Sequence, residues 1–289
     1  MARQTRVSNA SMMTFSEKLE RFSWALFVPM CIVLAISIVV LYSAGGGAWR
    51  PFALSQSAKI MVGFGIFFVA AFSNIKTWIK SAYVIYAIAL IMIILVTFVG
   101  HTGMGAQRWL NLGFVHIQPS ELIKIALVLA LARYFAWMNS VELSKFKNYI
   151  IPAAMLLVPF GLIVAQPDLG TALSLAMITT GVFYIVGANK KWFIIGAVLA
   201  VCAAPVVWFG GLHDYQRQRI ITFVNPDHDA RGAGYQINQA KIAFGSGGLI
   251  GKGYMKGSQS QQSFLPEKQT DFIFTMLGEE FGFIGAFGL

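Results

Sequence analysis

Asp271 closes a polar loop and opens an apolar run, within Phe264-Leu-Pro-Glu-Lys-Gln-Thr-Asp-Phe-Ile-Phe274. A carboxylate placed where water gives way to hydrocarbon is costly to desolvate, and it stands within reach of a lipid head group. An ionisable residue at such a boundary is a functional candidate by default. Position alone fits a helix cap equally well, because Thr or Asp ahead of a helical run accepts backbone N–H bonds and favours the positive end of the dipole.

Other charged groups fall at comparable boundaries. Arg108 and Trp109 sit together in a Gly-rich segment, Gly100 to Ser120. Trp109 reads as an interfacial aromatic anchor or as a surface that stacks on a sugar or packs on a lipid, with Arg108 binding an anionic group beside it. Glu121 and Lys124 follow at i, i+3 on one helix face. Neither belongs against lipid, so they pair with each other or face a cavity. Asp168 follows Pro167 at the head of an apolar run, where capping is the leading reading. Glu279 and Glu280 lie about 12 Å beyond Asp271 along the last helix, and at least one of them needs a partner inside the bundle.

The elements that carry these residues are membrane spans. The chain is 57% hydrophobic and only 12% charged, against about 25% charged in ordinary globular proteins. A hydrocarbon layer of about 30 Å takes roughly 20 apolar residues per helix. Seven stretches meet or approach that length: Trp24 to Ser43, Ala58 to Ile75, Ser81 to Val99, Leu122 to Met138, Tyr149 to Ala165, Leu169 to Val186 and Trp192 to Phe209. A partial eighth begins at Phe272. The runs are continuously apolar rather than alternating, so the expected fold is all-α, a polytopic helix bundle and not a barrel.

The first run is about 20 residues long and lacks a cleavage pattern, so it reads as a span rather than a signal peptide. Threading from a cytoplasmic N-terminal segment, residues 1–23, puts eleven basic residues in inner segments and three in the short outer loops. That is a positive-inside bias. The net charge of +10 therefore reports topology and is no sign of nucleic-acid binding. The same threading places residues 210–270 outside the cell membrane as one large loop, with local helix patterns such as Tyr235 to Phe244. Cys31 and Cys202 lie inside predicted spans, which leaves no disulfide framework. The chain reads as a single membrane domain over residues 1–289.

Several tempting motifs fail. Ser246-Gly-Gly-Leu-Ile-Gly251-Lys252-Gly253 has the outline of a phosphate loop, but Ser replaces its first Gly and Gly its final Ser/Thr. Four scattered His residues make no ligand-spaced cluster. No Ser nucleophile elbow is present. The chemistry has to rest on carboxylates and cations.

Six segments together resemble the SEDS family (shape, elongation, division and sporulation) of membrane glycosyltransferases. They are Gly105-Ala-Gln-Arg-Trp-Leu110, Gln118-Pro-Ser-Glu-Leu-Ile-Lys124, Gln166-Pro-Asp-Leu-Gly-Thr-Ala172, Gly234-Tyr-Gln-Ile-Asn-Gln239, Gly245-Ser-Gly-Gly-Leu249 and Phe264 to Phe274. Gln269-Thr270-Asp271 stands where the division branch typically has His-Thr-Asp, so the resemblance is to the rod-shape branch. It implies ten spans with both termini cytoplasmic. Against that pattern the chain ends inside span eight, so the resemblance implies that it is incomplete at its C-terminus.

The resemblance also implies an activity, the polymerisation of lipid II into glycan strands at the bacterial inner membrane. The family's essential aspartate matches Asp271. There a carboxylate would take the proton of the attacking sugar hydroxyl, while cations stabilise the leaving pyrophosphate. The candidates for that second task are Arg108, Lys124, Arg217, Arg219 and Lys252, with Glu121 and Asp168 orienting them. No cofactor is required by the residues, although a divalent cation, magnesium or manganese, could share the pyrophosphate charge. The implied partners are lipid II, membrane lipids, and a class B penicillin-binding protein within the elongation complex. Two rival classes stay open on sequence alone. A lipid II transporter would suit Gly- and Pro-interrupted spans but should not need a base at the outer face. A non-catalytic scaffold would make no glycan without a partner polymerase.

Overall fold

The computed structural model describes residues 14–103, 106–111, 116–212, 214–229, 232–258 and 269–289. Twelve helices carry the described chain: α1 (Phe15–Glu20), α2 (Trp24–Ala44), α3 (Phe52–Phe72), α4 (Ile75–Val99), α5 (Pro119–Phe135), α6 (Ser140–Leu143), α7 (Ile150–Ala165), α8 (Leu169–Val186), α9 (Lys190–Val206), α10 (Asp214–Val224), α11 (Ala233–Ser246) and α12 (Ile273–Gly288). A 3₁₀ turn, Phe146–Tyr149, leads into α7, and a π turn, Val207–Gly211, ends α9.

Six of the described helical segments are long and apolar enough to cross a membrane: Trp24–Ala44, Phe52–Phe72, Ile75–Val99, Phe146–Ala165, Leu169–Val186 and Lys190–Gly211. Large apolar side chains on them, such as Leu26, Val69, Met177 and Val201, are left exposed. Such a surface is suited to lipid, where a helix satisfies its own backbone polar groups. The chain is a polytopic helical membrane protein.

Several expected spans start too late. The second expected span, α3, begins at Phe52 rather than Ala58, because Ser55, Gln56 and Ser57 continue the helix despite their polarity. The third begins at Ile75 rather than Ser81, because the Asn74 side chain caps it by accepting from the Lys76 N–H at 3.0 Å. The fourth expected span, α5, has 17 residues, or about 26 Å, and carries Glu121, Lys124 and Arg133. It runs Pro119–Phe135 rather than Leu122 to Met138, since Pro119 pre-sets the first turn.

The described chain separates into two compact units, one within residues 73–203 and the other within residues 14–72 and 204–289. In the first unit α5 is the enclosed helix. Ser120, Ile123, Ala126, Leu127, Ala130 and Leu131 form its buried stripe at helical spacing. That stripe packs with Ala89 and Ile93 of α4, Ile163 of α7, and Ala172 and Leu175 of α8. Gln166, between α7 and α8, donates to the Ile93 carbonyl at 3.1 Å. Arg133 donates to the Ile79 carbonyl at 2.9 Å and lies 4.4 Å over the Tyr83 ring, fixing the other end of α5 to α4.

The Gly-rich segment after α4 contains strands. β1 (His101–Gly103) pairs antiparallel with β2 (Ala106–Asn111), and β2 with β3 (His116–Ile117), in the order β1-β2-β3. These strands are too short to announce themselves by alternation in the sequence.

In the second unit Val40 and Ala44 of α2 pack with Met276 and Leu277 of α12. Phe244 of α11 stacks on Phe274 with ring centroids 5.8 Å apart. Thr14 and Glu17 form a capping box on α1, and Lys18 donates to the Phe72 carbonyl at 2.6 Å, closing the end of α3.

Candidate active site

Asp271 occupies a turn, residues 269–272, immediately before α12, and it is exposed. The helix cap falls on Phe272, and no side chain supplies a capping bond. Among the described residues the Asp271 carboxylate accepts no hydrogen bond and makes no ion pair. Of the two uses a carboxylate has at this boundary, capping is not the one the structure employs.

Behind Asp271, α12 carries Glu279 and Glu280, both with essentially no exposed surface (0% and 1%). Each has found a partner. Lys252 Nζ lies 2.8 Å from Glu279 Oε1 and also donates to Ser258 Oγ at 2.8 Å. The Ser43 hydroxyl, near the end of α2, donates to Glu280 Oε1. Glu280 Oε2 is buried with no hydrogen-bond partner among the described residues. Tyr254 crosses the same region and donates to the Val39 carbonyl at 3.0 Å. Burial, then the neighbouring Glu280 carboxylate and Tyr42, push the Tyr254 phenol above its usual range.

The glycines that failed as a phosphate loop hold this region together. A side chain at Gly247 would strike the Gly278 carbonyl, and one at Gly251 (φ 81°) the Glu280 carbonyl. Lys252 and Gly253 N–H groups donate to the Glu279 and Glu280 carbonyls, each at 3.0 Å. Phe283 and Ile284 N–H groups donate to the Gly248 and Leu249 carbonyls, at 2.8 and 3.0 Å. These four bonds bracket a break in α12 at Gly282 (φ 67°, ψ −165°), a conformation open essentially to glycine alone. Residues 248–253 thus form a strap across the broken helix, satisfying groups the break would leave orphaned. Ser43, Tyr254 and Glu279's pairing with Lys252 were missed by sequence reasoning. The nearest signal was glycine density upstream of two adjacent acids in an apolar run.

The first unit holds the other candidates. Trp109 lies on β2 and is 39% exposed. Arg108 is on the same strand, but its side chain lies outside the described residues. Glu121 and Lys124 pair with each other across one turn at 2.7 Å, with Glu121 the more open of the two. Asp168 is the N-cap of α8, accepting from the Thr171 N–H at 3.3 Å and the Thr171 hydroxyl at 2.9 Å.

The loop cations separate into different roles. Arg217 is drawn back to the end of α9, donating to the Trp208 and Phe209 carbonyls at 2.9 and 3.0 Å. These bonds cap carbonyls of the π turn at the end of α9. Lys252 is committed to Glu279. Arg219 is exposed on α10 and makes no contact with another charged or polar group among the described residues. No three His, Cys, Asp or Glu side chains gather as a metal set among the described residues.

Comparison with known proteins agrees with this architecture. The cell cycle protein family of FtsW, RodA and SpoVE matches residues 17–289. The peptidoglycan glycosyltransferase MrdB of Escherichia coli K12 is 37% identical over 281 residues, covering 96% of this chain and 74% of that protein. A probable peptidoglycan glycosyltransferase FtsW of Geobacter sulfurreducens is 30% identical over 280 residues, covering 93% and 74%. Among solved structures, a component of a peptidoglycan synthase complex that coordinates polymerisation and crosslinking superposes with a TM-score of 0.74 at 27% identity, covering 92% and 73%. The rod shape determining protein RodA of Thermus thermophilus superposes with a TM-score of 0.62 at 25% identity, covering 92% and 70%.

Proposed function

The chain belongs to the FtsW, RodA and SpoVE family and is a membrane-embedded peptidoglycan glycosyltransferase of cell elongation, and from that premise we propose that Asp271 is its general base. The donor in this reading is lipid II, a disaccharide-pentapeptide linked through pyrophosphate to a polyprenyl chain. A sugar hydroxyl of the acceptor attacks the donor's anomeric carbon. The new glycosidic C–O bond forms as the bond to pyrophosphate breaks. The hydroxyl proton passes to Asp271, and the electron pair leaves with the lipid pyrophosphate.

One observation carries this reading. Asp271 is an exposed carboxylate at the head of an apolar helix, and no described donor engages it. A base must have a free lone pair, and a substrate anchored in lipid by its tail carries its head group at the membrane edge. Arg108 and Lys124 are assigned to the pyrophosphate, whose developing charge needs preorganised cations. Glu121 holds Lys124, and Trp109 offers an exposed ring to a sugar or lipid. Asp168 shapes the start of α8. Arg219 is the loop cation left open for the head group. The N-terminus is placed in the cytoplasm and residues 210–270 on the outer face of the inner membrane, on the strength of the basic bias of the short inner segments. A crosslinking partner of the class B penicillin-binding type is supported by the synthase complex in which a relative of similar fold takes part.

The test is polymerisation of purified lipid II by the detergent-solubilised chain and by its Asp271→Asn variant. Loss of a positioned base typically costs 10²–10⁴-fold. Normal glycan synthesis by a stably folded Asn variant overturns the assignment. Because detergent micelles have no compartments, polymerisation there also separates an enzyme from a transporter.

A further inference from the structure

Glu279 has 0% exposure, and a carboxylate so placed is sustained only by a partner that stays with it. Its partner comes from 27 residues upstream, on the glycine strap that spans the break in α12. The strap's two bonds on the Asp271 side of that break end on the carbonyls of Glu279 and Glu280. So one residue, Lys252, grips α12 twice, through its backbone N–H and through its ammonium. The piece of α12 that it grips is the piece that begins two residues after Asp271.

Asp271 has no described anchor of its own, and no side chain caps the helix it leads. On its C-terminal side its position is coupled to the segment from Ile273 to Phe281, which begins two residues after it. Gly282 removes helical continuity on the far side, so the remainder of α12 does not set that position by stiffness alone. From these relations we propose that the Lys252–Glu279 ion pair is the positioning link that sets where Asp271 stands relative to its substrate. Lys252 then acts through α12 and touches no substrate, which departs from a role as a pyrophosphate cation. The proposal rests on Asp271 being the base. It adds a claim about geometry that can fail on its own.

The experiment compares Lys252→Met, Lys252→Arg and Glu279→Gln in the full chain, each with two readouts. One is steady-state polymerisation of lipid II as a function of pH. The other is the rate at which a membrane-impermeant maleimide labels a cysteine placed at position 271, in a background with Cys31 and Cys202 replaced by Ser. A misplacement of about 1 Å can cost on the order of 10²-fold in rate. The Met variant is expected to lose about that much in kcat with KM nearly unchanged, to shift the acid limb of its pH–rate profile, and to change labelling at 271 severalfold. The Arg variant, which keeps a cation opposite Glu279, is expected to recover most of the rate and the original acid limb. Glu279→Gln is the second variant should an unpaired Glu279 prevent folding, and it is expected to show the same pair of shifts.

A loss of rate with an unmoved acid limb and unchanged labelling marks a merely structural pair and overturns the proposal. So does failure of all three variants to fold. Full activity in Asp271→Asn, together with altered labelling in Lys252→Met, removes Asp271 as the base while leaving its coupling to Lys252 intact.

Discussion

Ser43, one residue from the end of α2, donates its hydroxyl to Glu280, a buried carboxylate on α12, across 237 positions of sequence. The contact joins the first long helix to the last described one within the same unit, beside the packing of Val40 and Ala44 on Met276 and Leu277. Removing the hydroxyl leaves an oxygen of a buried acid without that donor, and a buried group left unsatisfied costs about 1–3 kcal/mol. Ser43→Ala is therefore expected to lower the melting temperature in detergent. Ser43→Thr, which keeps the hydroxyl, is expected to lower it less. Equal melting of wild type and the Ala variant would show that the contact carries no net stability.

The strap makes a sharper contrast among glycines. At Gly251 a methyl group would meet the Glu280 carbonyl, and the backbone is left-handed. Gly251→Ala is expected to cost about 2–4 kcal/mol from strain and overpacking combined. Gly245 lies in α11 with open space around it, so Gly245→Ala is expected to be neutral or to stabilise by about 0.5–1 kcal/mol through helix propensity. Thermal unfolding of the two variants side by side checks the prediction, and similar losses at both positions would contradict the strap geometry.

That contrast shows where sequence reading reaches and where it stops. The apolar spans were legible because lipid demands uninterrupted apolar length, and the same demand placed Asp271 at a boundary. Asn74 and Pro119 shifted two helix starts because capping and fixed φ act locally, below the resolution of a composition window. The strands around Trp109 have too few residues to establish an alternating pattern. At least one of Glu279 and Glu280 could be recognised as needing a partner, since burial of a bare carboxylate is prohibitive. That Lys252 and Ser43 would be those partners depends on how helices pack, which no local rule encodes. The glycines of the strap looked like a damaged nucleotide motif for the same reason, since only the nearness of α12 explains them.

Asp168 offers a clean separation of capping from substrate contact. Both of its oxygens engage Thr171 at the start of α8, and loss of an N-cap typically costs about 0.5–2 kcal/mol. Asp168→Ala is expected to destabilise by that amount. Asp168→Ser retains a capping oxygen and should recover most of the stability. If lipid II polymerisation recovers together with stability in the Ser variant, the carboxylate's work is finished by capping. If stability recovers and activity does not, the negative charge itself serves the substrate.

The two loop arginines give the last contrast, because they differ in what already holds them. Arg217 closes the Trp208 and Phe209 carbonyls at the end of α9, bonds to a charged donor worth about 1.5–3 kcal/mol together with their desolvation cost. Its ion pair with Asp214, at 3.7 Å and fully exposed on the acid's side, adds little. Arg217→Ala is expected to lower the melting temperature and to reduce activity only in proportion to the folded fraction, leaving KM for lipid II unchanged. Arg219 holds nothing among the described residues, so Arg219→Ala should leave melting unchanged. If Arg219 meets the anionic head group, that variant raises KM severalfold, and the increase shrinks at high salt because an exposed charge is screened over about 10 Å at 0.1 M. An unchanged KM in Arg219→Ala removes Arg219 from the substrate site, and a raised KM in Arg217→Ala restores Arg217 to it.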